Sequence, residues 1–250
     1  MRGWVALSLL LVSGCVSYQP CHRSHLIELR HAVGSDSETR SSLRRQAPWF
    51  EDVIVCMVDE FQVPLHNVIP VRVYHDGSPG GRSYYNRFTR SIVLRGKVER
   101  ATFVHELSHL LAHQVRSLPP YWSDQALAEY MESRFGGSGE ARLLDPLHAE
   151  RRARSRPGEK EQYLLCCMAR AEEPAELLAH LSKSAVDEDR GWGVMVVRYL
   201  FEDRWRDRPL HEKIRLLLRL SDEQVEELAP EVLAYCRRRE VLGGAAAAGE

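Results

Sequence analysis

Thr102-Phe103-Val104-His105-Glu106-Leu107-Ser108-His109-Leu110-Leu111 is the stretch whose reading decides the fold. Val104, Leu107, Leu110 and Leu111 recur at steps of three and four, and no Pro or Gly interrupts residues 99–117, which predicts a buried helix. On that helix His105 and His109 stand one turn apart on the same face, near enough for both rings to bind one metal ion. Glu106 follows the first ring, so its carboxylate leans toward that face, where it can take a proton from a water held at the metal. His113 continues the series. At about 1.5 Å rise per residue it lies about 12 Å from His105, too far for three rings to share one ion on a straight helix.

On the N-terminal side, Val68–Tyr74 and Ser91–Arg95 read as strands, parted by the turn residues His75–Gly81. The glycines of that turn form no GxGxxG and precede no Lys-Ser pair, which excludes a phosphate loop. Phe50, Ile54, Met57, Val58 and Phe61 make an apolar stripe at helical spacing and predict a helix starting near Pro48. On the C-terminal side, Pro119-Pro120 stop the first helix, and Ser123 caps a second that ends at Gly136-Gly137. The charged run from Leu143 to Arg156 reads as an exposed loop. Helical patterns follow at residues 162–171, 175–185 and 191–201, then a stripe of Leu210, Ile214, Leu217 and Leu218 and a capping box at Ser221 and Gln224. The expected fold class is α+β, with a small antiparallel or mixed sheet, the two-histidine helix, and a mostly helical C-terminal half.

His105-Glu106-Leu107-Ser108-His109 is the HExxH arrangement of zinc peptidases. Together with Trp122, Ala128 and Tyr130 of the following helix, it resembles the gluzincin metallopeptidases over roughly residues 50–220. The resemblance implies a zincin-like fold and zinc as cofactor, with His105 and His109 as ligands and Glu106 as general base. It also implies a third ligand from the second helix, where the family has Glu. Here the aligned residue is Gln125, with Ala126 where Gly is usual. A neutral carboxamide is a poorer zinc donor than a carboxylate. Glu129, one turn on, is the leading candidate for the third ligand, with Gln125 and Asp124 as alternatives. Glu129 would equally serve by orienting a histidine through its ring N–H. The strand ahead of the helix is expected to be the sheet edge that aligns a peptide substrate, which assigns substrate binding to Ile92, Val93 and Leu94. The function implied is hydrolysis of peptide bonds in a peptide or protein substrate. The rival, motivated by Gln125, is a catalytically inactive relative acting as a binding or assembly factor.

Arg2 and the apolar run from Trp4 to Val12 make residues 1–14 an export signal. Val12-Ser13-Gly14-Cys15 resembles the lipobox of bacterial lipoproteins, implying lipidation at Cys15 and a membrane anchor in the cell envelope. Val16, where a retention signal has Asp, favours the outer membrane. Residues 15–45 read as a flexible tether, 46–140 as the zincin-like N-terminal subdomain, 141–242 as a helical C-terminal subdomain, and 243–250 as a disordered tail. A hydrophobic fraction of 44% over 250 residues supports a substantial core. The net charge of −1, with no element carrying clustered positive charge, excludes a nucleic-acid partner. Setting Cys15 aside leaves Cys21, Cys56, Cys166, Cys167 and Cys236, which permit at most two intramolecular bridges, or buried free thiols. No CxxC spacing supports a cysteine metal site.

Overall fold

Residues 18–32, 37–74, 82–96, 98–136 and 190–247 are described by a computed structural model. Two strands open the chain, β1 (Tyr18–Arg23) and β2 (Ile27–Ala32), followed by helix α1 (Ser37–Phe61). Strands β3 (Ile69–Tyr74), β4 (Tyr84–Asn86) and β5 (Ser91–Arg95) complete one sheet. Helices α2 (Arg100–Val115) and α3 (Tyr121–Phe135) come next. After residue 189 the chain forms α4 (Arg190–Arg198), which runs on as a π-helical segment Tyr199–Arg204, then α5 (Leu210–Leu217) and α6 (Asp222–Ala247). The architecture is thus mixed α and β, as the sequence predicts.

The strand order is β1-β2-β3-β5-β4, with β2–β3 and β3–β5 parallel and both outer pairs antiparallel. This order corrects one expectation. β5 is paired on both sides, and Ile92, Val93 and Leu94 are buried, so they belong to the core and present no free edge to a substrate. Among the described residues the edge beside β5 is β4.

The expected tether is corrected as well. Tyr18–Ala32 forms a hairpin in the sheet, because Ile27 and Leu29 alternate with Glu28 and Arg30 and bury one face completely. Helix α1 begins at Ser37 and passes through Pro48. Proline there deprives the Arg44 carbonyl of its usual donor, yet Leu43 and Ala47 are buried on the same stripe as Phe50 and Ile54, and that packing carries the helix past it. Two polar ties fix α1 to β1. His22 Nε2 lies 3.0 Å from Glu51 Oε1, and Arg44 Nε donates to the Cys21 carbonyl at 2.9 Å. Cys21 and Cys236 are buried and form no disulfide, whereas Cys56 is exposed. Cys166, Cys167 and the helices expected between residues 162 and 185 lie outside the described residues. Residues 243–247, expected in the tail, belong to α6.

Helix α2 is placed by an aromatic cluster. The Phe103 ring meets Phe50 edge-on at 4.5 Å between centroids and Trp49 at 5.8 Å, locking α2 against α1. Helix α3 crosses α2 closely at its C-terminal end. A Cβ built on Gly136 would fall 2.9 Å from the Ala101 Cα, so only glycine permits this approach. Tyr130 of α3 then packs edge-on against Phe201 at 5.1 Å, joining the C-terminal helices to the core.

Candidate metal centre

Because α2 is one unbroken helix, His105 and His109 project from successive turns, and their Nε2 atoms face each other at 3.3 Å. Helix α3 supplies the next group. The side-chain amide of Gln125 lies 3.3 Å from the same His109 Nε2, and a half-turn of that carboxamide presents either its nitrogen or its oxygen there. Two ligand atoms each held 2.0–2.1 Å from one tetrahedral ion stand about 3.3–3.4 Å apart, and both spacings match that separation. His105, Glu106, His109 and Gln125 all line one cavity of about 400 Å³.

The opposite faces of both rings meet carboxylates. Nδ1 of His105 donates to Glu132 Oε2 at 3.2 Å, with Glu129 Oε1 at 4.0 Å. Nδ1 of His109 lies 2.9 Å from Asp124 Oδ2, and Nε2 of His113 lies 3.6 Å from the same oxygen. A carboxylate beside Nδ1 favours the proton on that nitrogen and turns Nε2 toward the cavity, where a cation on binding displaces any proton held there. Burial opposes charge on His105, but its hydrogen bond to Glu132 and the charges of Glu129, Glu106 and Glu132 outweigh burial and push its pKa up to about 9. Burial likewise works against the Asp124 carboxylate, yet the neighbouring His109 and His113 hold its pKa below the usual range.

The expected ligands therefore separate. Glu129, the leading candidate, and Asp124 stand at the Nδ1 sides of the rings, while Gln125 stands at the Nε2 side. His105, Glu129 and Glu132 also form a group whose donor atoms lie within 4.8 Å of one another and could hold a cation. That group lacks His109, and neither Glu129 nor Glu132 lines the cavity. His113 also lines the cavity, with its Nε2 turned to Asp124 Oδ2. Glu132 belongs to no motif in the sequence; its one signal is its position on the Glu129 face of the second helix, one turn further along. The rest of the lining includes Arg82, Tyr85 and Arg87 on or beside β4, Leu118 between α2 and α3, and Tyr121 at the start of α3. Nothing in hydrophobic periodicity points to such residues.

Comparison with protein-family models, with curated proteins and with solved structures finds no match for this chain. Among the described residues no helix is long and apolar enough to cross a membrane.

Proposed function

We propose that the chain is a zinc-dependent peptidase of the bacterial cell envelope, with a zincin-like fold. The observation that carries this reading is that His109 Nε2 lies 3.3 Å from both His105 Nε2 and the Gln125 amide, in a cavity that also holds Glu106. His105, His109 and the Gln125 carboxamide oxygen would hold the ion. Zinc bound there supplies Lewis acidity, polarising a carbonyl and acidifying water. Glu106 takes the proton from the attacking water and returns it to the leaving amine. The main chain of β4, the edge strand above the cavity, aligns the peptide by β-augmentation.

An acyl anchor at Cys15 would attach the protein to a membrane. Only Val16 and Ser17 separate Cys15 from β1, so such an anchor would hold the domain by β1, the sheet edge opposite β4.

The test is zinc content by elemental analysis, together with peptide hydrolysis by the full chain and by Glu106→Gln. About one zinc per chain and a rate reduced by on the order of 10²–10⁴ in the variant are expected. An unchanged rate sinks the mechanism. Gln125 favours one second reading, a zinc-holding but inactive binding or assembly lipoprotein. One zinc per chain with no cleavage of any peptide library would decide for it.

A further inference from the structure

A second cavity, of about 480 Å³, adjoins the first, and Tyr85 and His113 line both. Their rings stand 5.4 Å apart between centroids, tilted by 52°. The two linings differ in charge. The first contains Glu106 and Asp124, whereas the second has no Asp or Glu and brings together His66, Arg90 and His113. Buried Val63, Ile69 and Leu110 supply its apolar part. A recess with cationic and hydrogen-bonding side chains and no acidic group concentrates anions, and a guanidinium matches a carboxylate with two parallel hydrogen bonds.

The β4–β5 turn holds Arg90 in place. Asn86 Oδ1 accepts hydrogen bonds from the backbone N–H of Phe88 at 3.0 Å and of Thr89 at 3.1 Å, and Thr89 Oγ1 lies 2.7 Å from Ser91 Oγ. Arg90 itself has φ of 48°, a conformation that glycine or asparagine enters more easily. Turn chemistry alone does not select arginine there, so the side chain answers another demand.

We propose that this second cavity binds a carboxylate of the substrate, so that the enzyme acts on peptides carrying an acidic side chain or a free C-terminus near the bond cut. The assignment rests on the peptidase reading for its substrate and on the second cavity for its chemistry. Arg90 forks the carboxylate, His66 adds a donor, the His113 ring, whose nitrogens face Asp124 and the Ser117 carbonyl, packs as wall, and the apolar side receives the methylenes that carry the carboxylate. Tyr85 and His113, shared by both cavities, let one extended peptide reach from the metal centre into this recess.

The experiment measures binding to the full-length, zinc-supplied Glu106→Gln chain by fluorescence anisotropy. Three labelled hexapeptide mixtures serve as probes: amidated with Glu at fixed positions, amidated with Gln at those positions, and the Gln mixture with a free C-terminal carboxylate. Either acidic mixture should bind on the order of tenfold tighter than the neutral one, and which does so identifies the source of the carboxylate. Adding Arg90→Gln should abolish the difference and Arg90→Lys should keep part of it, with zinc content and circular dichroism reporting that both remain folded. Equal binding of all three mixtures, or a preference that survives Arg90→Gln, overturns the proposal. Hydrolysis by the chain with Glu106 intact is read separately. A carboxylate preference without hydrolysis removes the peptidase reading and keeps the subsite, whereas hydrolysis without a preference removes the subsite alone.

Discussion

Asp124 Oδ2 lies 2.9 Å from Nδ1 of His109, and the two residues come from different helices, so the approach of α3 to α2 sets the orientation of a ring on α2. Glu132 does the same for His105 from the far end of α3. With the neutral Gln125 at the Nε2 side, negative charge is supplied to the site through the rings instead of directly. Asp124→Asn and Glu132→Gln should each weaken zinc binding by about 10–100-fold. Competition against a chelator of known affinity measures this, and unchanged affinity in both variants would show that the carboxylates only brace the fold.

Gln125 gives a prediction of opposite sign. Gln125→Glu keeps the side-chain length and adds charge at the Nε2 side, so zinc should bind tighter than in the wild type, by tenfold or more in rough terms. Gln125→Ala should weaken zinc more than Glu129→Ala, since Glu129 approaches only Nδ1 of His105, at 4.0 Å. The reverse order of the two alanine variants would move the third ligand to Glu129.

The N-terminal hairpin is predicted to be essential to the fold. Leu29 is fully buried in β2, between the antiparallel β1 and the parallel β3. Leu29→Ala should destabilise by about 2–5 kcal/mol, as a large-to-small change at a closed core site. Phe103→Ala, which removes the ring that locks α2 against α1, should cost about 3–5 kcal/mol and also lower zinc affinity by loosening α2. Urea melts of the zinc-free chain give the first quantity and chelator competition the second. A Leu29→Ala protein as stable as wild type would return residues 18–32 to the status of a tether.

What the sequence made legible followed from period and breakers. Val104, Leu107 and Leu111 marked α2, Pro119-Pro120 separated it from α3, and the β-branched runs marked β3 and β5. The hairpin was hidden because His22, Arg23, Ser24, His25, Arg30 and His31 break up its apolar residues, and only the short alternation from Ile27 to Arg30 betrays burial. The start of α1 was hidden by Pro48, since a proline reads as a helix boundary whatever packing carries the chain past it. Strand order was beyond the sequence altogether. β5 precedes the HExxH helix in the chain, but β4 is the neighbour that takes the edge, and register between strands far apart in sequence leaves no local signal. At the candidate metal centre the two histidines and Glu106 were readable from spacing. The sorting of Asp124, Gln125, Glu129 and Glu132 to the two sides of the rings depended on how α3 crosses α2 at Gly136.

The tie between β1 and α1 gives a pH dependence. The hydrogen bond with His22 holds the Glu51 carboxyl below its ordinary pKa of 4.5, aided by Ser24 and opposed by burial. A depressed carboxylate pKa means that the folded protein binds the proton less readily than the unfolded chain does. The stabilisation from Glu51 is therefore fully present above about pH 4.5, the unfolded value, and is lost as pH falls through the lower folded value. The pair is partly exposed, so the contribution should stay at or below about 1 kcal/mol and shrink in high salt. Urea melts of wild type and Glu51→Gln should differ at pH 6 to 7 and converge under more acid conditions. A gap that stays constant into that range would mean that Glu51 acts through packing of its methylenes and not through its charge.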